Sequence, residues 1–205
     1  MNKPKGLKRN TASFTILGID PGSRNLGFSV IRHHEKKTSV ELIDVLKLAS
    51  IEDHHERLRL IFQKIKHLIK RFEFTHCAIE TPVYGKDPLA MLKLGRAQAA
   101  CILAIKEADL PLTEYYPKAI KKAVTGNGNA SKQQVAFMLD QTVGLPEREK
   151  KLSGDETDAL AVALCHLQTL NRSGGATPVP KKKYHQNNAA GDWSSFVKQN
   201  PDRVK

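Results

Sequence analysis

Thr15-Ile16-Leu17-Gly18-Ile19-Asp20-Pro21-Gly22-Ser23-Arg24-Asn25-Leu26-Gly27 is the stretch that decides how the rest of the chain is read. A short apolar run carries an aspartate at its C-terminal end. A turn of Pro, Gly, Ser and Asn follows, then a second apolar run over residues 28–31. Short apolar runs bounded by turn formers read as buried strands. Pro21 has no N–H to give to a sheet ladder, so the first strand stops at Asp20. Gly22 and Gly27 permit a tight reversal or a close backbone approach. By itself, Asp-Pro-Gly is an ordinary turn whose carboxylate bonds the turn amides. A catalytic reading of Asp20 depends on the residues that join it from further along the chain.

The length of 205 residues suits one domain with extensions. With 40% hydrophobic and 26% charged residues, the composition is that of a globular protein. No apolar run reaches the length that spans a bilayer. Residues 1–10 are basic without the apolar core of a signal peptide. Cys77, Cys101 and Cys165 lack disulfide or metal spacing and read as buried thiols of a reducing cytoplasm. The net charge of +12 is uneven: residues 1–13 hold four basic and no acidic groups, residues 171–205 seven basic and two acidic ones. The expected organisation is a basic disordered arm over 1–13, a folded domain over 14–170, and a flexible basic tail over 171–205 carrying Trp193 and Phe196. Such arms favour a polyanionic partner.

Along the domain, residues 14–20, 26–32 and 40–47 read as an antiparallel meander. A helix over 53–72 follows, with Leu58, Ile61, Phe62, Ile65, Leu68, Ile69 and Phe72 on one stripe. Its His54, His55 and His67 read as surface or satisfied side chains. Residues 77–80 form a strand that the crossover helix makes parallel to the first. It ends on Glu80 before Thr81-Pro82, as the first strand ends on Asp20 before Pro21. Parallel strand ends lie side by side, where open α/β sheets bind ligands. A loop with Tyr84 and Lys86 leads to a helix over 89–109. Its seam of Met91, Leu94, Gln98, Cys101, Ile102 and Ile105, kept small over much of its length by Gly95, Ala97, Ala99, Ala100 and Ala104 so that a helix can approach closely, fits either core packing or a subunit interface. A strand over 110–115 precedes a Pro117-started helix with Lys118, Lys121 and Lys122. A glycine loop containing Asn127 then leads to Ser131, the N-cap of a helix from Lys132 to about Gln141. The last long helix starts at Gly154 and is apolar to Leu170. Asp155 and Asp158, three residues apart, share a face of it, and Glu156 points elsewhere.

Asp20, Glu80, Asp155 and Asp158 thus stand at element ends facing one sheet edge. Packed carboxylates repel, and burial raises their pKa, unless a divalent cation neutralises them. Oxygen-only ligands favour Mg²⁺ or Mn²⁺ over Zn²⁺. A pair of such ions suits in-line displacement at a phosphodiester, with Lys121 and Lys132 placed to hold the phosphate. Three antiparallel strands, helix, strand, helix, strand, then helices is an α/β, ribonuclease H-like order.

The blocks 16–24, 78–80, 92–97, 125–132 and 155–161, in order and in register over residues 14–170, resemble the RuvC-type Holliday-junction resolvases. The resemblance implies a homodimeric, Mg²⁺-dependent DNA endonuclease that places paired symmetric nicks in four-way junctions during recombination and repair. It makes Asp20, Glu80, Asp155 and Asp158 the metal-binding, catalytic acids. Lys132 joins them as a catalytic residue, and the site holds two ions. It assigns DNA contact to Lys121, Lys132, Tyr84, Lys86, Arg24 and Asn127, and dimer contact to the helix around Leu92 to Ile105. It further implies a cytoplasmic, nucleoid-associated protein that works with a branch-migration helicase and no membrane. The family's aromatic three residues after the glutamate is replaced here by Val83, with Tyr84 one later. Two other readings stay open on residues alone: a non-catalytic structure-specific DNA-binding module on the same fold, and an actin-like ATPase, which would need a second phosphate-binding domain.

Overall fold

Seven residues, Phe14–Asp20, form β1, and all but Asp20 are buried. The computed structural model describes residues 13–35, 37–83, 85, 87–145 and 152–173. The expected N-terminal arm up to residue 12, the tail from 174 with Trp193 and Phe196, and the loop residues Tyr84 and Lys86 lie outside them. β2 (Asn25–His34) returns antiparallel to β1, and β3 (Lys37–Lys47) returns antiparallel to β2. After α1 (His54–Arg71), β4 (His76–Glu80) pairs parallel to β1, and after α2 (Pro88–Glu107), β5 (Leu112–Tyr115) pairs parallel to β4. Among the described residues three helices follow: α3 (Pro117–Thr125), α4 (Lys132–Val143) and α5 (Gly154–Arg172). The sheet order is β3-β2-β1-β4-β5.

Strand parity decides which side chains meet which helices. Leu17 and Ile19 of β1, with Cys77 and Ile79 of β4, pack into the core under α1 and α2. Ile16 and Ala78 pack into the other core, with α3, α4 and the buried length of α5. By the same alternation Gly18 and Asp20, and Glu80 on the neighbouring strand, face α5. That helix can approach closely because the sheet has no side chain in its way. A Cβ on Gly18 would lie 2.4 Å from the Ala159 carbonyl oxygen, and one on Gly27 2.2 Å from that of Asp155. Ser29 Oγ donates to the same Ala159 oxygen at 2.9 Å, which ties the helix to β2.

The strands and helices stand where the sequence reading placed them, with differences at the ends. β2 and β3 continue to a tight turn at Glu35, whose φ of 47° closes the hairpin. α5 runs on to Arg172, two residues past the expected end. α2 differs more. Its buried face is Ala97, Ala100, Cys101, Ala104 and Ile105, because the alanines admit α1, while Leu89, Leu92 and Leu103 stand exposed. By length and composition this helix is apolar enough to cross a membrane, where no such run was expected, and 22% of the apolar stretch is buried. Lys93 and Arg96 interrupt it. His54 also departs from expectation: both ring nitrogens are shielded from solvent without a hydrogen-bond partner. The three cysteines are buried free thiols, and burial pushes Cys77 and Cys165 up to about 12.

Candidate active site

Asp20 closes β1 and Glu80 closes β4, one register step beyond the Ile19–Ile79 pair. Ser153 caps α5 in a reciprocal box with Glu156: Glu156 N–H donates to Ser153 Oγ, and Ser153 N–H donates to Glu156 Oε2 at 2.6 Å. The box accounts for Glu156 and leaves Asp155 and Asp158 for other partners. Asn25 Nδ2 donates to Asp155 Oδ2 at 2.9 Å. Lys132, the first residue of α4, places Nζ 3.1 Å from Asp158 Oδ2. Ser131 and Gln134 fix that start of α4 in a second capping box.

These side chains share one electrostatic environment. Burial, then Asp158 and Asp155, push the Asp20 carboxyl up to about 7 against the opposing pull of Lys132. Burial, then Asp20 and Asp158, push Glu80 up to about 7, with Lys132 and Lys121 opposing. The bond to Asp158 holds the Lys132 ammonium above its usual range, and Asp20 and Asp155 add to that. The four acids and two lysines sought from sequence therefore meet at one sheet edge. Among the described residues, no three His, Cys, Asp or Glu side chains close up into a ready metal cage. The donor set is all carboxylate oxygen with excess negative charge, which fits a hard divalent cation and not a thiolate- or imidazole-bound one. The cleft beside Lys132, Gly154 and Asp158 holds about 200 Å³. Of the four acids, only Asp158 lines it.

The other expected DNA contacts are more scattered. Lys121 reaches Glu80 electrostatically from α3. Arg24 has an exposed side chain, and its carbonyl accepts from Leu48 N–H at 2.8 Å. Asn127 spends its Oδ1 on Asn129 N–H at 3.0 Å, closing the glycine loop. Two residues near the site were not singled out from sequence. Asn25 looked like a turn former, and only its contact across 130 positions identifies it. Tyr116, 65% exposed, follows the Tyr115 that pairs with Glu80, and it has no sequence pattern to mark it.

A meander of three antiparallel strands extended by two parallel ones, with helices on both faces, is a ribonuclease H-like fold. Its acids Asp20 and Glu80 stand at strand C-terminal ends, where open α/β sheets place their ligands. Residues 16–166 match the family model described as crossover junction endodeoxyribonuclease RuvC, and the chain belongs to that family. Crossover junction endodeoxyribonuclease RuvC of Christiangramia forsetii is 42% identical over 190 residues, 93% of this chain and 92% of the relative. That of Salinibacter ruber is 42% identical over 189 residues, 92% of this chain and 98% of the relative. The structure of T. thermophilus RuvC in complex with a Holliday junction substrate superposes with a TM-score of 0.73 at 31% identity, covering 81% of this chain and 99% of that one.

Proposed function

We propose that this chain is a structure-specific endonuclease that resolves four-way DNA junctions by paired symmetric nicks, in recombination and repair. The observation that carries the proposal is the meeting of Asp20, Glu80, Asp155 and Asp158 with Lys132 at one open sheet edge of a RuvC-family chain. The four acids are the metal-binding set, for two Mg²⁺ ions per site, with Mn²⁺ substituting. When bound, such ions activate the attacking water and stabilise the leaving oxygen of the phosphodiester.

The chain's own residues do the rest. Asp20 and Glu80 must both be ionised, and their elevated pKa values make the metal-free site a proton-binding one near neutrality. Lys132 and Lys121 lower the cost of that ionisation and offer positive charge to the scissile phosphate. Arg24 and Asn127, with Tyr84 and Lys86, guide the flanking backbone. A second copy docked on the exposed leucines of α2 supplies the second cut. A branch-migration helicase delivers the junction, at the nucleoid in the cytoplasm.

The test is cleavage of a junction with a fixed crossover, with products mapped on all four strands. Symmetric paired nicks in Mg²⁺ and none in chelator are the expected result. Asp20→Asn and Glu80→Gln should lose nicking to background and retain junction binding. Binding without nicking in any divalent cation, or full activity of both variants, would overturn the proposal.

A further inference from the structure

We infer that Asn25 is a positioning residue for Asp155: its amide holds one carboxylate oxygen and leaves the other directed to the divalent cation. The inference rests on the reading of Asp155 as a metal-binding acid. Asn25 Nδ2 lies 2.9 Å from Asp155 Oδ2, across 130 positions of sequence. The backbone that carries the amide is fixed on every side. Asn25 opens β2 and pairs with Lys47. Its carbonyl oxygen folds over Gly22 so closely that a Cβ there would lie 2.1 Å away. The preceding carbonyl, of Arg24, is bonded by Leu48 N–H at 2.8 Å.

Asp155 and Asp158 of α5 are thus held from two elements by two different chemistries. Lys132 gives Asp158 a charge as well as a hydrogen bond, so it partly neutralises that acid. Asn25 gives Asp155 a hydrogen bond and no charge. A neutral donor orients a carboxylate and leaves its full negative charge for a dication, where a lysine in the same place would compete with the metal. The bond is solvent-exposed, so it adds little to folding stability. Its effect falls on metal affinity and on the chemical step.

The full-length protein carrying Asn25→Ala or Asn25→Leu, the latter close in shape but without a donor, tests this. Asn25→Gln serves as the rescue and Asp155→Asn as the parallel control. Mn²⁺ binding to the DNA-free protein is followed by calorimetry, alongside Tm and the Mg²⁺ dependence of nicking at saturating junction. Loss of the donor should weaken Mn²⁺ binding by roughly 10-fold, the usual size for a partner behind a metal ligand. The Mg²⁺ requirement should rise in parallel, with Tm and junction affinity unchanged, and Gln should recover part of the loss. Wild-type Mn²⁺ binding by Ala and Leu variants, while Asp155→Asn is impaired, overturns the inference, as does a Gln variant no better than Leu. A wild-type Asp155→Asn instead overturns the assignment of Asp155 as a ligand, and this inference with it.

Discussion

Lys132 pairs with Asp158, and on the proposed reading it does more than attract DNA. It pulls Asp20 and Glu80 toward ionisation, so its removal lets both carboxyls rise further. Lys132→Ala is therefore expected to slow nicking by roughly 10²-fold, the scale of a lost transition-state donor. The pH–rate profile at subsaturating Mg²⁺ should move to higher pH, with little change in junction affinity. A variant that loses affinity and salt slope only, with an unmoved pH profile, would make Lys132 a phosphate-positioning contact. At this scale the sequence was readable where covalent geometry speaks. Pro21 and Pro82 stop their strands, and the spacing of Asp155 and Asp158 puts both on one helical face. Asn25 and the shielded ring of His54 were not readable, because a polar side chain at a turn or helix start has many ordinary uses. Only the folded contact chooses among them.

α5 and α2 mark the two ways an apolar helix can use its surface. α5 spends it inside, against the glycine track of β1 and β2, and its buried run was plain in the sequence. α2 spends only its alanine face on α1 and leaves Leu89, Leu92 and Leu103 between 50% and 63% exposed. The expected seam mixed small and large residues, and the structure buries Ala97, Ala100 and Ala104 of it with Cys101 and Ile105. Periodicity locates an apolar stripe but not which neighbour takes it, and the small residues won because they let two backbones approach. Exposed leucines repeated along one side are the mark of an association surface. Leu92→Glu combined with Leu103→Glu would bury carboxylates without partners in such an interface. The parent is expected to sediment as a dimer and the variant as a monomer that keeps its fold by circular dichroism and yields single nicks in place of paired ones. A double variant that remains dimeric places the interface elsewhere.

Across the whole molecule, α5 links two clusters whose protonation affects stability with opposite sign. At its start, Asp20 and Glu80 are raised to about 7. Two turns beyond, His166 is fully buried, bonded through Nδ1 to the Tyr115 hydroxyl at 2.8 Å and facing His76 at 5.2 Å. Burial, then His76, pushes His166 down to about 4, and burial also lowers His76. For the acids, the folded state binds more protons than the unfolded one between their ordinary values, near 4, and about 7. Their contribution is present at low pH and is lost as pH rises through that window. For His166 the unfolded state binds more protons between about 4 and 6.5, so its contribution is present above 6.5 and lost as pH falls. The two windows overlap, and each unbalanced proton is worth about 1.4 kcal/mol per pH unit; two acids outweigh His166, which offsets only part of their slope. In chelator, Tm should fall as pH rises from about 4.5 to about 6.5. Saturating Mg²⁺ removes the acid contribution, because the bound ion keeps Asp20 and Glu80 ionised, and Tm should then climb with pH. His166→Asn removes the opposing contribution, and in chelator its Tm should fall more steeply than the parent's as pH rises, whatever its absolute level. A chelated parent whose Tm rises steeply over this range, with no change on adding Mg²⁺, would mean that the two acids are not the proton-binding pair their burial makes them.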